Sequence, residues 1–102
     1  MSVEANFSDL ESRRVEAAYL YEQAGDILLR MEKVYEDLDP EREVASEQEY
    51  RADKADALAR QVQEKLGVGL DVPSETTLSE VRELVRDAMN HANEAEPAFP
   101  SR

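Results

Sequence analysis

Apolar residues recur at helical spacing along almost the whole chain, and this recurrence most constrains the fold. In the first third, one stripe follows steps of seven, four and three residues, and a second row one heptad apart lies beside it. The stripe comprises Leu10, Ala17, Tyr21, Ala24, Leu28, Met31, Tyr35 and Leu38, and the second row comprises Leu20, Ile27 and Val34. Such spacing is typical of α-helices, and no stretch alternates apolar and polar residues as a strand would. The sequence therefore predicts an all-α fold.

Two interruptions divide this pattern into three helical segments. Asp39-Pro40 ends the first, because proline removes a backbone donor and disfavours helical geometry in the residue before it. The same pair also suits a new start, with Asp39 as N-cap and Pro40 in the first turn. Gly67 suits a left-handed stop at the end of the second segment.

Two capping boxes place the other helix starts. Ser8-Asp9-Leu10-Glu11 and Thr77-Leu78-Ser79-Glu80 each carry a Ser or Thr cap followed by Glu three residues later. The predicted helices cover about residues 8–38, 40–66 and 77–95, within a single helical domain of residues 1–96. Residues 97–102 are predicted to be a flexible tail, because two prolines end the last helix.

The predicted arrangement is a long antiparallel helical hairpin with a shorter third helix against it, a three-helix bundle. The alternative is one very long helix kinked at Asp39-Pro40, which would expose both apolar faces and force oligomerisation. We favour the hairpin, because the cap and the breaker coincide. The second helix has an alanine-rich face of Ala45, Ala52, Ala55, Ala59, Val62 and Leu66, and the third has Leu78, Val81, Val85, Ala88, Ala92 and Ala95 in register.

The expected core is thin, because Leu, Ile, Val and Phe together number only 22 residues while 13 residues are Ala. The predicted core includes Leu20, Leu28, Met31, Leu38, Leu58, Val62, Leu66, Leu78, Val81, Leu84 and Val85. The stripe of the first helix is wider than the seam of a two-helix coiled coil, so it could contact two neighbours. We therefore expect self-association, as a dimer.

The net charge of −12 decides which partners are plausible. It argues against direct binding to a nucleic-acid backbone or an anionic membrane surface, and it favours a basic protein partner. The chain has no Cys, so it has no disulfide and no thiolate metal site. Without a membrane-length apolar run or a signal-peptide pattern, we expect a cytoplasmic protein.

The side chains that could carry function are few. His91 and Glu94 share one face of the third helix, but one His and one carboxylate do not make a metal site. We therefore expect no catalytic residue, no metal and no cofactor. Tyr19 and Tyr50 fall on otherwise polar faces, and Phe99 has no role in the core, so these three aromatics are the predicted anchors for a partner.

The segment Asp39-Pro40-Glu41-Arg42-Glu43 resembles the start of the second helix in the all-helical chorismate mutases. The resemblance covers these five residues. It implies a small three-helix enzyme that forms an intertwined dimer and binds a dicarboxylate through Arg and Lys from several helices. Arg42 and Glu43 match the local motif, and Arg13 and Arg30 would supply cations from the first helix.

Three hypotheses for function follow. The first is a small acidic interaction module, such as an adaptor, a chaperone or an inhibitor, that binds a protein partner through helix faces. The second is an acidic mimic of nucleic acid that inhibits a DNA- or RNA-binding protein. The third is a small helical enzyme of the chorismate mutase kind.

Overall fold

The computed structural model of the chain describes residues 3–41, 43, 45–67 and 72–96, with side chains described from residue 9 onward. These residues form three helices and no strand, which confirms the all-α prediction. The helices are α1 (Val3–Asp37), α2 (Ala45–Gly67) and α3 (Glu75–Ala95). With 35 residues, α1 is about 52 Å long at 1.5 Å per residue. The molecule is elongated, with principal extents of 61 × 30 × 17 Å.

The helix α1 begins at Val3, earlier than the start predicted at Ser8. The residues before Ser8 include no Gly or Pro, so none of them interrupts the helix. The helix therefore continues back through the capping box, and Ser8 lies in its interior. Its end at Asp37 is one residue before the predicted end.

The connection between α1 and α2 is a turn closed by Asp39. The backbone N–H of Glu41 donates a hydrogen bond to Asp39 Oδ1 at 3.0 Å. Asp39 therefore closes a local turn instead of capping the second helix. The predicted break is present at Pro40, but α2 begins only at Ala45, after this turn.

The helix α3 is capped by Ser74 and not by Thr77. The backbone N–H of Thr77 donates to Ser74 Oγ at 3.1 Å, which places Thr77 in the first turn of the helix. Serine caps a helix at least as well as threonine, and Glu75 adds an acidic residue to the first turn. The helix therefore starts two residues before the predicted start, and its end at Ala95 agrees with the prediction.

All three pairs of helices are in contact. Between α1 and α2, a sequence of contacts joins Tyr35 to Asp53, Gly25 to Gln63 and Tyr21 to Gly67. Gly67 does not adopt the left-handed conformation predicted for it, because α2 stays right-handed through its last residue. A Cβ at Gly67 would lie 3.5 Å from Tyr21 Cε2, so the missing side chain leaves room for the tyrosine ring.

On α1, the buried face is rotated from the predicted stripe toward the second row. Among residues 9–37 of α1, five are buried: Leu20, Ala24, Ile27, Met31 and Val34. Leu10, Tyr21 and Tyr35 were expected in the core stripe, but the three are 42%, 44% and 37% exposed. All three residues of the second row belong to the buried core, together with Ala24 and Met31 of the stripe, whereas Tyr21 and Tyr35 lie outside it.

The rest of the predicted core is largely correct. Six predicted residues are buried: Leu20, Met31, Val62, Leu78, Val81 and Val85. Four are half-buried and pack against the core: Leu28, Leu58, Leu66 and Leu84. Leu38 is also half-buried, but it lies beyond the end of α1 and outside the core cluster. Alanines from all three helices fill the remaining core, which lets the helix backbones approach closely.

Candidate functional site

Described residues of α1 and α2 line a surface groove between the two helices, which we call the α1–α2 groove. From α1 it is lined by Tyr21, Gly25, Leu28, Leu29, Glu32 and Tyr35, and from α2 by Asp56, Arg60, Gln63, Glu64 and Gly67. The groove consists of two adjoining depressions that share Arg60 and Gln63. Between Tyr21 and Tyr35 it follows α1 for about 21 Å.

The α1 side of the groove carries several apolar side chains that are partly or largely exposed. Leu29 is 66% exposed, which is the largest exposure among the large apolar residues described. Leu28 beside it is half-buried, and Tyr21 and Tyr35 expose their rings at either end. Gly25 adds no side chain between them, so the groove is deepened at its middle. Contiguous exposed apolar surface of this kind is typical of interaction sites.

Negative charge surrounds the Tyr35 end of the groove. The Tyr35 hydroxyl donates a hydrogen bond to Asp53 Oδ1. Burial, this hydrogen bond and the nearby charges of Asp53, Asp56 and Glu49 raise the pKa of Tyr35 well above its ordinary value. The hydroxyl therefore stays protonated at physiological pH and acts as a donor. Arg60 is the cation of the groove lining, and it pairs with Asp56 at 2.9 Å.

The contacts of α3 have a different character. Arg82 reaches across to Glu16 on α1, with Nη2 2.7 Å from Oε1, and also bonds Glu75 on its own helix at 3.0 Å. The Arg82 guanidinium holds the pKa of Glu16 below its usual value, chiefly by hydrogen bonding. Lys65 on α2 lies 3.4 Å from Glu80 of α3. Charged side chains thus bridge α3 to both other helices.

Arg30 makes the most extensive of these bridges. Its guanidinium donates to both carboxylate oxygens of Glu96, at 2.8 and 2.7 Å, and to Asn93 Oδ1 at 2.9 Å. A further contact joins Arg30 Nη1 to Met89 Sδ at 3.2 Å. The hydrogen bond from Arg30 lowers the pKa of Glu96. This bidentate pair ties the end of α3 to the middle of α1.

The predicted anchors do not form one patch. Tyr19 is 59% exposed on α1 and Tyr50 is 52% exposed on α2. Tyr50 is only three residues from Asp53, the partner of Tyr35, whereas Tyr19 is 16 residues from Tyr35 along α1, or about 24 Å. The Tyr50 ring also lies under Lys54 Nζ, 5.6 Å from its centroid. Phe99 lies outside the described residues.

His91 is half-buried and engaged by a neighbouring helix. Its Nδ1 lies 3.0 Å from Arg51 Nη1, and Arg51 Nε lies 2.9 Å from Glu94 Oε2. His91 and Glu94 thus share an arginine from α2. Within the described ranges, no group of three or more His, Asp or Glu side chains could hold a metal ion.

The cations that the chorismate mutase resemblance assigns to substrate do not converge. Arg13 bonds the carbonyl of Pro73 at 3.0 Å and pairs with Asp9 at 3.2 Å, and Arg30 is committed to Glu96. The two arginines are 17 residues apart on one helix, or about 25 Å, so within a single chain they do not bind one small dicarboxylate together. Arg42 lies outside the described residues. Glu43 is exposed in the connection before α2.

Sequence reasoning missed the α1–α2 groove. One signal was present, because Leu29 belongs neither to the predicted stripe nor to the row beside it. Gly25 was a second signal, since glycine inside a helix costs stability and often marks a close approach or a functional need. Neither signal identifies the neighbouring helix that forms the other wall.

Comparison with known proteins gives no relative from which a function could be transferred. No protein-family model matches the chain, and neither a curated protein nor a solved structure matches it. Among the described helices, none combines the length and the apolar character that crossing a bilayer requires.

Proposed function

We propose that this protein is a small acidic interaction module that binds a protein partner through the outer face of its helices. The observation that carries the proposal is the row of large apolar side chains that α1 leaves in solvent. Val15, Tyr19 and Leu29 are 60%, 59% and 66% exposed, although both other helices already pack against α1. Three such residues on one helix favour a recognition surface over a catalytic one.

The proposed architecture is an up-down-up bundle in which α1 and α2 form an antiparallel hairpin. The order of contacts supports it, because Tyr35 meets Asp53 while the earlier Tyr21 meets the later Gly67. A bundle of this kind can fold within one chain and leave one face free. A dimer, as the wide stripe of α1 suggests, stays a prediction that light scattering after gel filtration would test. The absence of Cys fits a reducing compartment, and we place the protein in the cytoplasm.

A second candidate function rests on the charge of the connection between α1 and α2 together with the helix ends on either side of it. Residues 32–49 hold eight carboxylates against two cations, which is half of the net charge of the chain. No ion pair involves these carboxylates in the part of the chain that the structure describes. This supports mimicry of nucleic acid toward a basic cleft. Such binding would be competed by DNA and would weaken by orders of magnitude between about 50 and 200 mM salt.

Site-specific photo-crosslinking in the source cells tests the interaction proposal. A benzophenone amino acid replaces Tyr19, Leu29 or Tyr50, one at a time, in the full chain. Glu83 on α3 is the matched control, because it is exposed and lies away from the apolar face. We expect at least one of the three positions to give a discrete crosslinked species that the Glu83 control lacks. The proposal would be refuted if all three positions gave the same crosslinked products as the Glu83 control.

A further inference from the structure

The α1–α2 groove has the dimensions and the lining of a site for one additional helix. It lies between two packed helices and follows α1 for about 21 Å, which is the length of roughly 14 helical residues. Its walls are side chains of helices whose backbone groups are already hydrogen-bonded, so it offers no free edge for a β-strand. Ridges of a fourth helix would pack into such a groove as helices pack into each other.

The charge around the groove restricts which helix would fit. Glu32, Asp56 and Glu64 belong to its lining, and Asp53 lies at its Tyr35 end. The cation of the lining, Arg60, is already paired with Asp56. Glu32 and Glu64 make no ion pair with any residue that the structure describes. The groove therefore has an apolar α1 side and, in Glu32 and Glu64, a carboxylate on each side that pairs with no described cation.

From this combination we infer that the α1–α2 groove binds an amphipathic helix of a partner protein, with Lys and Arg flanking its apolar stripe. The inference rests on the proposed function and names the class of partner. The apolar stripe would cover Leu28 and Leu29, and one large side chain would occupy the space over Gly25. The basic residues would meet Glu32 on one wall and Glu64 on the other.

A second copy of this chain is a poorer occupant. Each copy carries a net charge of −12, and docking the same face would bring the carboxylates of one groove against those of the other. Like charges placed together across an interface are costly, whereas opposite charges also accelerate association. The charge pattern therefore favours a basic partner over self-association at this face.

The first test maps what lies over Leu29. The benzophenone variant at Leu29 is crosslinked in the source cells, and the attached partner segment is identified by mass spectrometry. We expect a segment with apolar residues at helical spacing and flanking Lys and Arg. Crosslinks from Leu29 to a second copy of this chain, or to an acidic segment, would overturn the inference. Crosslinks from Tyr19 or Tyr50 without any from Leu29 would overturn it too and leave the proposed function standing.

The second test uses a synthetic peptide of the mapped segment and fluorescence anisotropy with the full chain. Gly25→Leu, which fills the groove, should weaken binding about tenfold or more, since steric filling removes the central contact. Gly25→Ala is its control and should change binding less than about twofold, because the new Cβ meets only Gln63 Nε2, at 3.5 Å.

Charge reversal provides an independent pair of variants. Glu32→Lys and Glu64→Lys should each weaken binding severalfold at low salt, whereas Glu83→Lys on α3 should leave it unchanged. Circular dichroism of each variant checks that the helices remain. If both groove variants bind as tightly as the Glu83→Lys control, the carboxylates do not recognise the partner and the inference fails.

Discussion

The two seams that α3 makes and the seam between α1 and α2 are built differently. Around α3, charged side chains bridge to both neighbours, as Arg82 does to Glu16 and Lys65 to Glu80. Between α1 and α2, the described residues form no ion pair, and the side-chain hydrogen bond there joins Tyr35 to Asp53. One side of the bundle is therefore bordered by charge pairs, whereas the other leaves apolar surface in a groove.

The difference follows from the width of each apolar stripe. The buried positions of α3 keep one narrow register, from Leu78 to Ala95, so charged residues stand close enough on both sides to reach the other helices. The apolar surface of α1 is wider than its two neighbours cover, and Leu29 and Tyr21 remain outside. The wide apolar stripe of α1 thus leaves apolar side chains exposed. The narrow stripe of α3 leaves room for ion pairs on both of its sides.

The largest predicted effect is a difference in unfolding free energy between truncating a core residue of α3 and truncating a residue of the groove. Leu78 is fully buried, so Leu78→Ala should cost about 2–5 kcal/mol of unfolding free energy through lost burial and a residual cavity. Leu29→Ala should change it by less than about 0.5 kcal/mol, because the side chain is mostly in solvent. Urea unfolding followed by circular dichroism measures both. Equal losses would mean that Leu29 is covered in solution.

The next largest difference in unfolding free energy is expected when a side chain is enlarged, in the core or in the groove. Ala59 is fully buried among the helices, so Ala59→Leu should cost about 1–3 kcal/mol by overpacking. Gly25→Ala in the groove should instead stabilise the protein by about 0.5–1 kcal/mol, since alanine restricts the unfolded chain and suits a helix better. The new Cβ meets Gln63 Nε2 at an ordinary contact distance of 3.5 Å. Destabilisation by Gly25→Ala, measured in the same assay, would show that the groove is closed.

The smallest predicted effect depends on pH and concerns the pair of Arg30 and Glu96. Because the pKa of Glu96 is lowered in the folded chain, the pair stabilises the fold above the ordinary Glu pKa of about 4.3. That stability is lost as the pH falls through the lower pKa of the folded state. Arg30→Met should therefore cost about 1 kcal/mol at pH 7 and less near pH 3.

The matched control for this pair is Arg86→Met. Arg86 pairs with Glu83 within α3, and both side chains are more than 60% exposed. Replacing Arg86 should leave the free energy of unfolding nearly unchanged at either pH, since exposed ion pairs contribute little. A loss for Arg30→Met that stays the same from pH 7 to pH 3 would show that Glu96 does not carry the contribution.

The sequence predicted α2 and α3 better than it predicted α1. Their buried rows were read correctly, because a single narrow stripe leaves one choice of inward face. On α1, the inward face combines both rows, with Leu20, Ile27 and Val34 from the second row and Ala24 and Met31 from the stripe. The helix starts were less accurate, since Ser74 and Thr77 are both good caps and only the packed chain distinguishes them.

The α1–α2 groove was not predicted from the sequence, although the exposure of two tyrosines outside it was. Exposed tyrosines and a preference for a basic partner were expected from the residues, and Tyr19 and Tyr50 are indeed exposed. The α1–α2 groove was not expected. Gly25 and Leu29 line a groove only because α2, some 30 residues away in sequence, forms its other side. Local spacing carries no information about which neighbour will stand beside a helix.

The sequence by itself determined the number of helices, the break at Pro40, the buried rows of α2 and α3, and the large negative charge. These properties depend on composition, on backbone chemistry and on spacing within a few helical turns, so each segment of the sequence can be interpreted separately. Only the tertiary structure decided the rotation of α1, the cation that each carboxylate meets, and the groove left open beside Leu29. Those outcomes depend on how three helices with apolar stripes of unequal width pack around one small core, which no single segment specifies.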